Sequence, residues 1–568
     1  MVVYAELNLT GFYECASMAD ESTRLINTAS VFNTLNNGHN HQNNFPQHTS
    51  VHTKRLLNSR HISMISIGGI IGTGLFIGIR QTLTNGPIIS IISYMYISML
   101  CYYIITAVGE MSCFMPLNGS LCQFQFKFIS NPVGIMNNFV YWISWSVTLG
   151  LELSLIYELL CQLIISMDLM PLLLMSSMAA SWLGDKSSVI AVTWLALTSA
   201  NLFPVNYYGE VEFMVTIIKV GFMVTWIGLS IWLVFTGVGF TNWLNFELIW
   251  GINTIEVVNS PVLNKLVNIL SSSIVSSCFT FQSIESVGIC SGEIENIGQN
   301  LPKAIKYIVM RILVFYIGSL ILLTLMIPSN DPQLVSNNNN DSSSNMLMSS
   351  PFVVGLINCG IGNGSYLIQI VNFVILTSMI SAANSNIYFG SRCLISMIEE
   401  GYFWRVFGKT IMNSGVPVYA ILLTSFIGLV IALLSNFKSA GIFLTLLINL
   451  SATSGLLMWL FILISYLRFR KALEYNNINH GDLVYTSLFC CFPMKQSSWI
   501  SIVSIVGIIL SNGIVNIWQF SWDSFASCYL TLIVVVVGVL YFSFKWDEPV
   551  LRSVDEIDIF TNQSSNAF

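Results

Sequence analysis

Four charged side chains lie well inside apolar stretches of this chain, away from their ends: Glu152, Glu158, Lys219 and Glu285. An ionised group at the centre of a bilayer costs at least ~2.5–3.5 kcal/mol, so each needs a partner or an aqueous cavity. Two of the apolar stretches carry further features that a lipid-facing helix does not need. The first reads Ser66-Ile67-Gly68-Gly69-Ile70-Ile71-Gly72-Thr73-Gly74. Each of its glycines costs a continuous helix about 0.8–1 kcal/mol relative to alanine. Gly68 and Gly72 also fit the small-xxx-small spacing of closely packed helices, so breakage and packing both stand as readings. The second reads Phe279-Thr280-Phe281-Gln282-Ser283-Ile284-Glu285-Ser286-Val287-Gly288, where a carboxylate and several hydrogen-bonding groups interrupt an apolar run. N–H groups freed at the start of a half-helix attract a carboxylate, and freed carbonyls attract an ammonium. Paired breaks of this kind point to a midplane site for a small ligand bearing both groups.

The elements that hold these groups follow from composition and hydropathy. Apolar residues make up 54% of 568 positions, charged residues 9%, and the mean hydropathy is +0.71. A water-soluble chain of this length needs about a quarter of its residues charged, so lipid must cover this one. Apolar runs occur near 62–80, 87–109, 136–166, 189–203, 211–236, 267–290, 309–328, 366–390, 418–435, 440–465, 499–518 and 525–544. Most reach the ~20 residues that a helix needs to cross the hydrocarbon core. The run 189–203 is short, and 136–166 is long enough for a tilted or extended helix. The expectation is an all-α polytopic membrane protein of about twelve spans, with the interruptions in the first and sixth. Residues 1–54 read as a disordered tail without the features of a cleavable signal peptide, 55–544 as the membrane domain, and 545–568 as a C-terminal tail.

Placing the N-terminus in the cytosol and alternating the loops puts 17 of 22 Lys and Arg inside. Arg80, Lys186, Lys265 and Lys438 fall outside, and Lys219 lies within a span. This asymmetry places both termini in the cytosol. The outer loop 329–365 holds a low-complexity Asn-Ser run at 337–345 with one short sequon, Asn340-Asp341-Ser342. Cys490 and Cys491 are either palmitoylated or unmodified. A net charge of −6 without a basic patch excludes nucleic acid as a partner. All six histidines lie outside the apolar runs and the cysteines lack metal-site spacing, which argues against a metal, a cofactor and an enzyme. No phosphate-binding loop of the ATP-driven type is present.

The ordered motifs along the chain resemble one family. They begin with Arg60-His61-Ile62-Ser63-Met64-Ile65-Ser66-Ile67-Gly68-Gly69 and Gly72-Thr73-Gly74-Leu75-Phe76. They continue through Gly109-Glu110-Met111, Leu151-Glu152-Leu153, Tyr208-Gly209-Glu210-Val211-Glu212-Phe213, Ser291-Gly292-Glu293 and Pro302-Lys303-Ala304-Ile305. Ser381-Ala382-Ala383-Asn384-Ser385, Ser391-Arg392, Gly415-Val416-Pro417 and Ser454-Gly455-Leu456 complete the series, which covers residues 60 to about 473. Together they resemble the fungal amino-acid permeases of the amino acid–polyamine–cation superfamily. That resemblance implies a LeuT-like fold of two inverted five-helix repeats plus two C-terminal helices, and proton-coupled import of amino acids across the plasma membrane. An amino-acid sensor with a transporter fold, and a permease for a related cation such as a polyamine, are the alternatives.

A site follows from the breaks and the resemblance together. Backbone around Gly69, Ile70, Gly72, Thr73 and Gly74 would hold a substrate carboxylate. Carbonyls near Ser277, Cys278 and Phe281 would hold its ammonium, with Glu152 bordering the side-chain pocket and Glu285 in a binding or gating role. Phe281 is read either as a cap on the substrate or as packing. Glu158 pairs within the bundle or snorkels outward, and Glu110 belongs to an inner gate or a helix-end contact. Related sodium-coupled transporters place a cation near the first and fifth helices, so Lys219 becomes the candidate for proton coupling, desolvation favouring release of its proton. The alternative is a permanently charged lysine that ties helices together through carbonyls. The sequence also departs from the family, which usually carries Phe-Gln-Gly-Thr-Glu where this chain has Phe281-Gln282-Ser283-Ile284-Glu285. Arg80 stands where a small residue is common, and Asn118 replaces the usual Ser before Gly119.

Overall fold

A computed structural model describes residues 57, 59–167, 185–236, 262–328, 331, 334, 350–362, 365–410, 415–435, 440–486, 493–512 and 522–561. The N-terminal tail 1–54, the run 337–345 with its sequon, and Cys490 and Cys491 lie outside the described residues. Each of the twelve apolar runs overlaps helix among the described residues. The first run is divided into α1 (Ser59–Ile70), a π-helical turn (Gly74–Gly78) and α2 (Ile79–Thr84). The second is α3 (Pro87–Phe114), started by Gly86 at φ 104° and by Pro87. The third is α5 (Asn131–Ser166), preceded by α4 (Ser120–Phe128), a short helix absent from the hydropathy reading.

The fourth run is α6 (Lys186–Asn201), capped by Asp185 accepting from the N–H groups of Ser187 and Ser188. The fifth is α7 (Val205–Phe235). The sixth is again divided, into α8 (Val262–Phe281) and α9 (Ser286–Ile289). The seventh joins α10 (Ile297–Arg311) to α11 (Gly318–Met326) through a second π-helical segment. After α12 (Pro351–Asn358) come α13 (Tyr366–Glu399), α14 (Val418–Leu434), α15 (Ala440–Tyr475), α16 (Met494–Ser511) and α17 (Trp522–Trp546).

Among the described residues, eight helices are long and apolar enough to cross a membrane. The shortfall from twelve falls on the two divided spans, the 16-residue α6 and the 17-residue α14. The chain is an all-α, multi-pass membrane protein. Its outer surface is apolar, with Phe235 and Phe544 each 86% exposed, as a lipid-facing surface requires.

The two divided spans run antiparallel. At one end Leu57 donates to the Glu293 carbonyl (3.0 Å), and Glu295 donates back to Leu57 (3.1 Å). At the other, Asn85 Nδ2 donates to Ser272 Oγ (3.1 Å) and Ser273 Oγ (2.9 Å). Each divided span opens a five-helix half, and the third helix of each half, α5 and α13, form the most extensive helix pair among the described residues. Helices α16 and α17 pack outside the halves, against α15. Beyond α17 the chain returns to the bundle: Arg552 N–H donates to the Ile129 carbonyl (2.8 Å), Lys127 Nζ to that of Thr561 (2.8 Å), and Ile557 and Ile559 are buried.

The turn Gln282–Glu285 divides the sixth span at the position where the resembling family carries glycine. Ser283 adopts φ 79°, the left-handed region, so the chain unwinds here despite the missing glycine. An L-residue in that region is strained by roughly 1–2 kcal/mol. Ser283→Gly is expected to raise the thermal unfolding midpoint in detergent, by about 1 kcal/mol in stability, and Ser283→Val to lower it. A Gly variant less stable than the parent would show that the turn carries no such strain.

Candidate functional site

The interruption of the first span is built by close approach. A Cβ at Gly72 would lie 2.9 Å from that of Ala382 on α13. One at Gly74 would lie 3.0 Å from the Thr280 Cα and 3.2 Å from its carbonyl oxygen. Gly68 faces Glu212 and Thr216 on α7 in the same way. Breakage and packing therefore coexist in this segment. Across the gap, Thr280 Oγ1 donates to the Gly74 carbonyl (3.1 Å) and Ser276 Oγ to that of Gly78 (3.2 Å), so α8 satisfies backbone groups of the π-helical turn.

Thr73 begins that turn, and its hydroxyl donates to Glu152 Oε1 at 2.6 Å, joining the first span to the third. Both side chains are buried. Glu152 Oε2 has no hydrogen-bond partner among the described residues. Thr73 also lines a cavity of about 460 Å³, within the size range of small-molecule sites, whose walls include Arg80, Thr148, Leu151, Ser276 and Asn449.

Lys219 projects from α7 onto the backbone of the same break. Its Nζ donates to the carbonyls of Gly68 (2.8 Å) and Ile71 (3.0 Å) and to Ser381 Oγ (2.9 Å). An ammonium has three N–H donors, and all three are used. Ser381 in turn donates to Glu212 Oε2 (2.7 Å), while Asn384 Nδ2 donates to Oε1 (3.3 Å). Glu212 is fully enclosed and is a site residue that the sequence reading missed. The signal was available: Glu212 and Lys219 are seven residues apart, two turns along one helix face.

The remaining expected residues divide into separate sets. Gly69 faces the Phe389 ring, and Ile70 ends α1. Ser277 and Cys278 lie within α8, and the Ser277 hydroxyl donates to the Ser273 carbonyl (2.7 Å). Phe281 is buried between Tyr94 (ring centroids 5.3 Å apart) and Tyr316 (4.7 Å), a packing environment. Glu285 accepts from Tyr141 Oη (2.7 Å) and Trp459 Nε1 (2.9 Å), which occupies both oxygens. Glu158 faces Lys186 at 3.5 Å. Glu110 accepts from Tyr466 Oη (2.7 Å) and lies 2.9 Å from His480 Nε2.

A second buried ionic cluster closes the end of the molecule where Leu57 meets Glu293. Arg392 Nε lies 3.3 Å from Glu293 Oε1, the Tyr388 hydroxyl donates to Glu293 Oε2, and the guanidinium sits 3.8 Å over the Tyr388 ring. Tyr208 stacks on Tyr388 with centroids 4.3 Å apart. The hydropathy reading ended its sixth and eighth runs before Glu293 and Arg392, and so left this pair uncounted.

Comparison with known proteins agrees with this architecture. The profile of the family described as "Amino acid permease" matches residues 61–553. A lysine/arginine permease of Candida albicans is 35% identical over 522 residues, covering 89% of this chain and 84% of the relative. A lysine-specific permease of Saccharomyces cerevisiae is 33% identical over 515 residues, covering 89% and 78%. The lysine-specific permease of Escherichia coli is 31% identical over 450 residues, covering 78% and 83%. With two antiparallel divided spans, buried ionic groups at the first break and a family match across nearly the whole membrane domain, this chain belongs to the amino acid permease family.

Proposed function

We propose that the chain imports amino acids, cationic ones among them, across the plasma membrane by proton symport. The observation that carries this reading is Glu152: a buried carboxylate with one oxygen held by Thr73, which lines the cavity, and the other without a hydrogen-bond partner among the described residues. A carboxylate so placed suits a cationic side chain, as do the names of the lysine and arginine permeases it resembles. The substrate carboxylate takes the backbone around Gly69, Ile70, Gly72, Thr73 and Gly74, and its ammonium takes carbonyls near Ser277, Cys278 and Phe281. Glu285 supports the turn of the sixth span through Tyr141 and Trp459. Both termini lie in the cytosol.

Lys219 supplies the coupling in this reading. Its three donors bind two carbonyls of the break and Ser381, so loss of one proton forces it to release a contact. Release from Gly68 or Ile71 frees the first span to move against the fifth. The Ser381–Glu212 connection offers the departing proton an acceptor carboxylate.

Four measurements test the proposal. In vesicles loaded with unlabelled lysine, the purified protein should exchange it for labelled lysine, whereas a sensor would bind without exchange. Glu152→Gln is expected to lower the preference for lysine over norleucine at least tenfold, and an unchanged preference removes Glu152 from the site. Lys219→Met should exchange substrate but lose pH-driven accumulation; concentrative uptake with the original pH profile would remove Lys219 as the coupling group. For topology, a protease-cleavable tag at 337–345 should be cut on intact cells and tags at either terminus protected. Cutting of terminal tags in sealed cells would overturn the orientation.

A further inference from the structure

Arg80 is the charged residue that the resemblance leaves unexplained, and its position gives it a task. It lies on α2, seven residues beyond Thr73 and past the π-helical turn. Thr73 and Arg80 line one cavity. The guanidinium is fixed in place, since Nε and Nη2 both donate to the Leu334 carbonyl, at 3.1 and 3.0 Å. Arg80 is 9% exposed and Leu334 3%, and the cavity walls combine apolar side chains, Ile77, Leu151, Leu155 and Val275 among them, with uncharged polar ones. A fixed cation in a cavity with low-dielectric walls acts over a longer range than one in open water.

We propose that Arg80 is a specificity-determining residue of the path to Glu152: its charge weakens the entry of cationic side chains relative to uncharged ones. The inference rests on reading Thr73 and Glu152 as the substrate site. Two opposite charges then stand in series, the Glu152 carboxylate favouring a cationic side chain and the Arg80 guanidinium opposing it. A chain with a small residue at position 80 has the carboxylate without the opposing charge. This chain accordingly discriminates less strongly for lysine over an uncharged analogue of similar shape than Glu152 alone would dictate.

Two readouts test the proposal. The first is the ratio of KM for lysine to KM for norleucine, which differ by the terminal ammonium. Arg80→Gln, which keeps a donor for the Leu334 carbonyl, should lower that ratio about tenfold, the order expected for one charge acting within a partly desolvated cavity. Arg80→Lys should leave it within twofold. A purely structural role for Arg80 would move both KM values together and leave the ratio unchanged, which overturns the proposal. The second readout does not depend on transport. Thr84→Cys introduces a thiol on the same cavity wall, to be modified by anionic and cationic methanethiosulfonates, each rate normalised to that with a free thiol in solution. The anionic reagent should react faster, and Arg80→Gln on the Thr84→Cys background should cut the anionic-to-cationic rate ratio about tenfold. An unchanged ratio in properly delivered protein refutes the charge effect. If the parent chain takes up neither amino acid, the proposed function fails, while the thiol rates still decide whether Arg80 sets the field of the cavity.

Discussion

A helix interrupted inside a bilayer frees backbone carbonyls where no bulk water can satisfy them. The structure answers that constraint at the first span with the ammonium of Lys219, bonded to Gly68 and Ile71. The rest of the site follows from this contact. A cation held there needs a counter-charge, which Glu212 provides through Ser381. The backbone must come close enough to be reached, which requires the hydrogen side chain at Gly68, against α7, and at Gly72, against α13. On the other side of the break, Thr280 and Ser276 perform the same service for the π-helical turn with hydroxyls.

Much of this was legible in the sequence because the bilayer permits so few solutions. Twelve apolar runs correspond to twelve helical segments, and glycine clusters or polar residues within two of them mark the two interruptions. What escaped has a common cause. Hydropathy bounds a span where charge appears, yet α13 continues to Glu399 beyond the expected end at 390, and α7 starts at Val205 ahead of 211. Arg392 lies in the first of those extensions, Glu293 just past the end expected for the sixth run, and Glu212 at the second position of the expected fifth run. Each is enclosed by partners from distant segments. The Thr73–Glu152 contact joins residues 79 apart, and nothing local in either segment specifies that pairing.

The sixth span shows how a departure from a family pattern can be absorbed. Ser283 takes the left-handed conformation that glycine would take without strain, and the neighbouring side chains hold the turn in place. Gln282 Nε2 donates to Ser144 Oγ and to the Ser451 carbonyl, both at 3.3 Å, and Glu285 accepts from Tyr141 and Trp459. A network of this kind, spanning α5 and α15, over-determines the backbone and lets one unfavourable torsion persist.

The cluster of Glu293, Arg392 and Tyr388 lies at the opposite end of the divided spans from Arg80 and its cavity. Removing one partner of a buried ion pair typically costs about 3–5 kcal/mol, because the other is left as an uncompensated buried charge. Opening at that end is therefore a hydration event: water must reach Glu293 and Arg392 as they separate and take over the role each plays for the other. The rearrangement thus carries a volume of imbibed solvent, and excluded osmolytes act on it as an opposing pressure. In this sense that end of the bundle ties any separation of Glu293 from Arg392 to its own hydration.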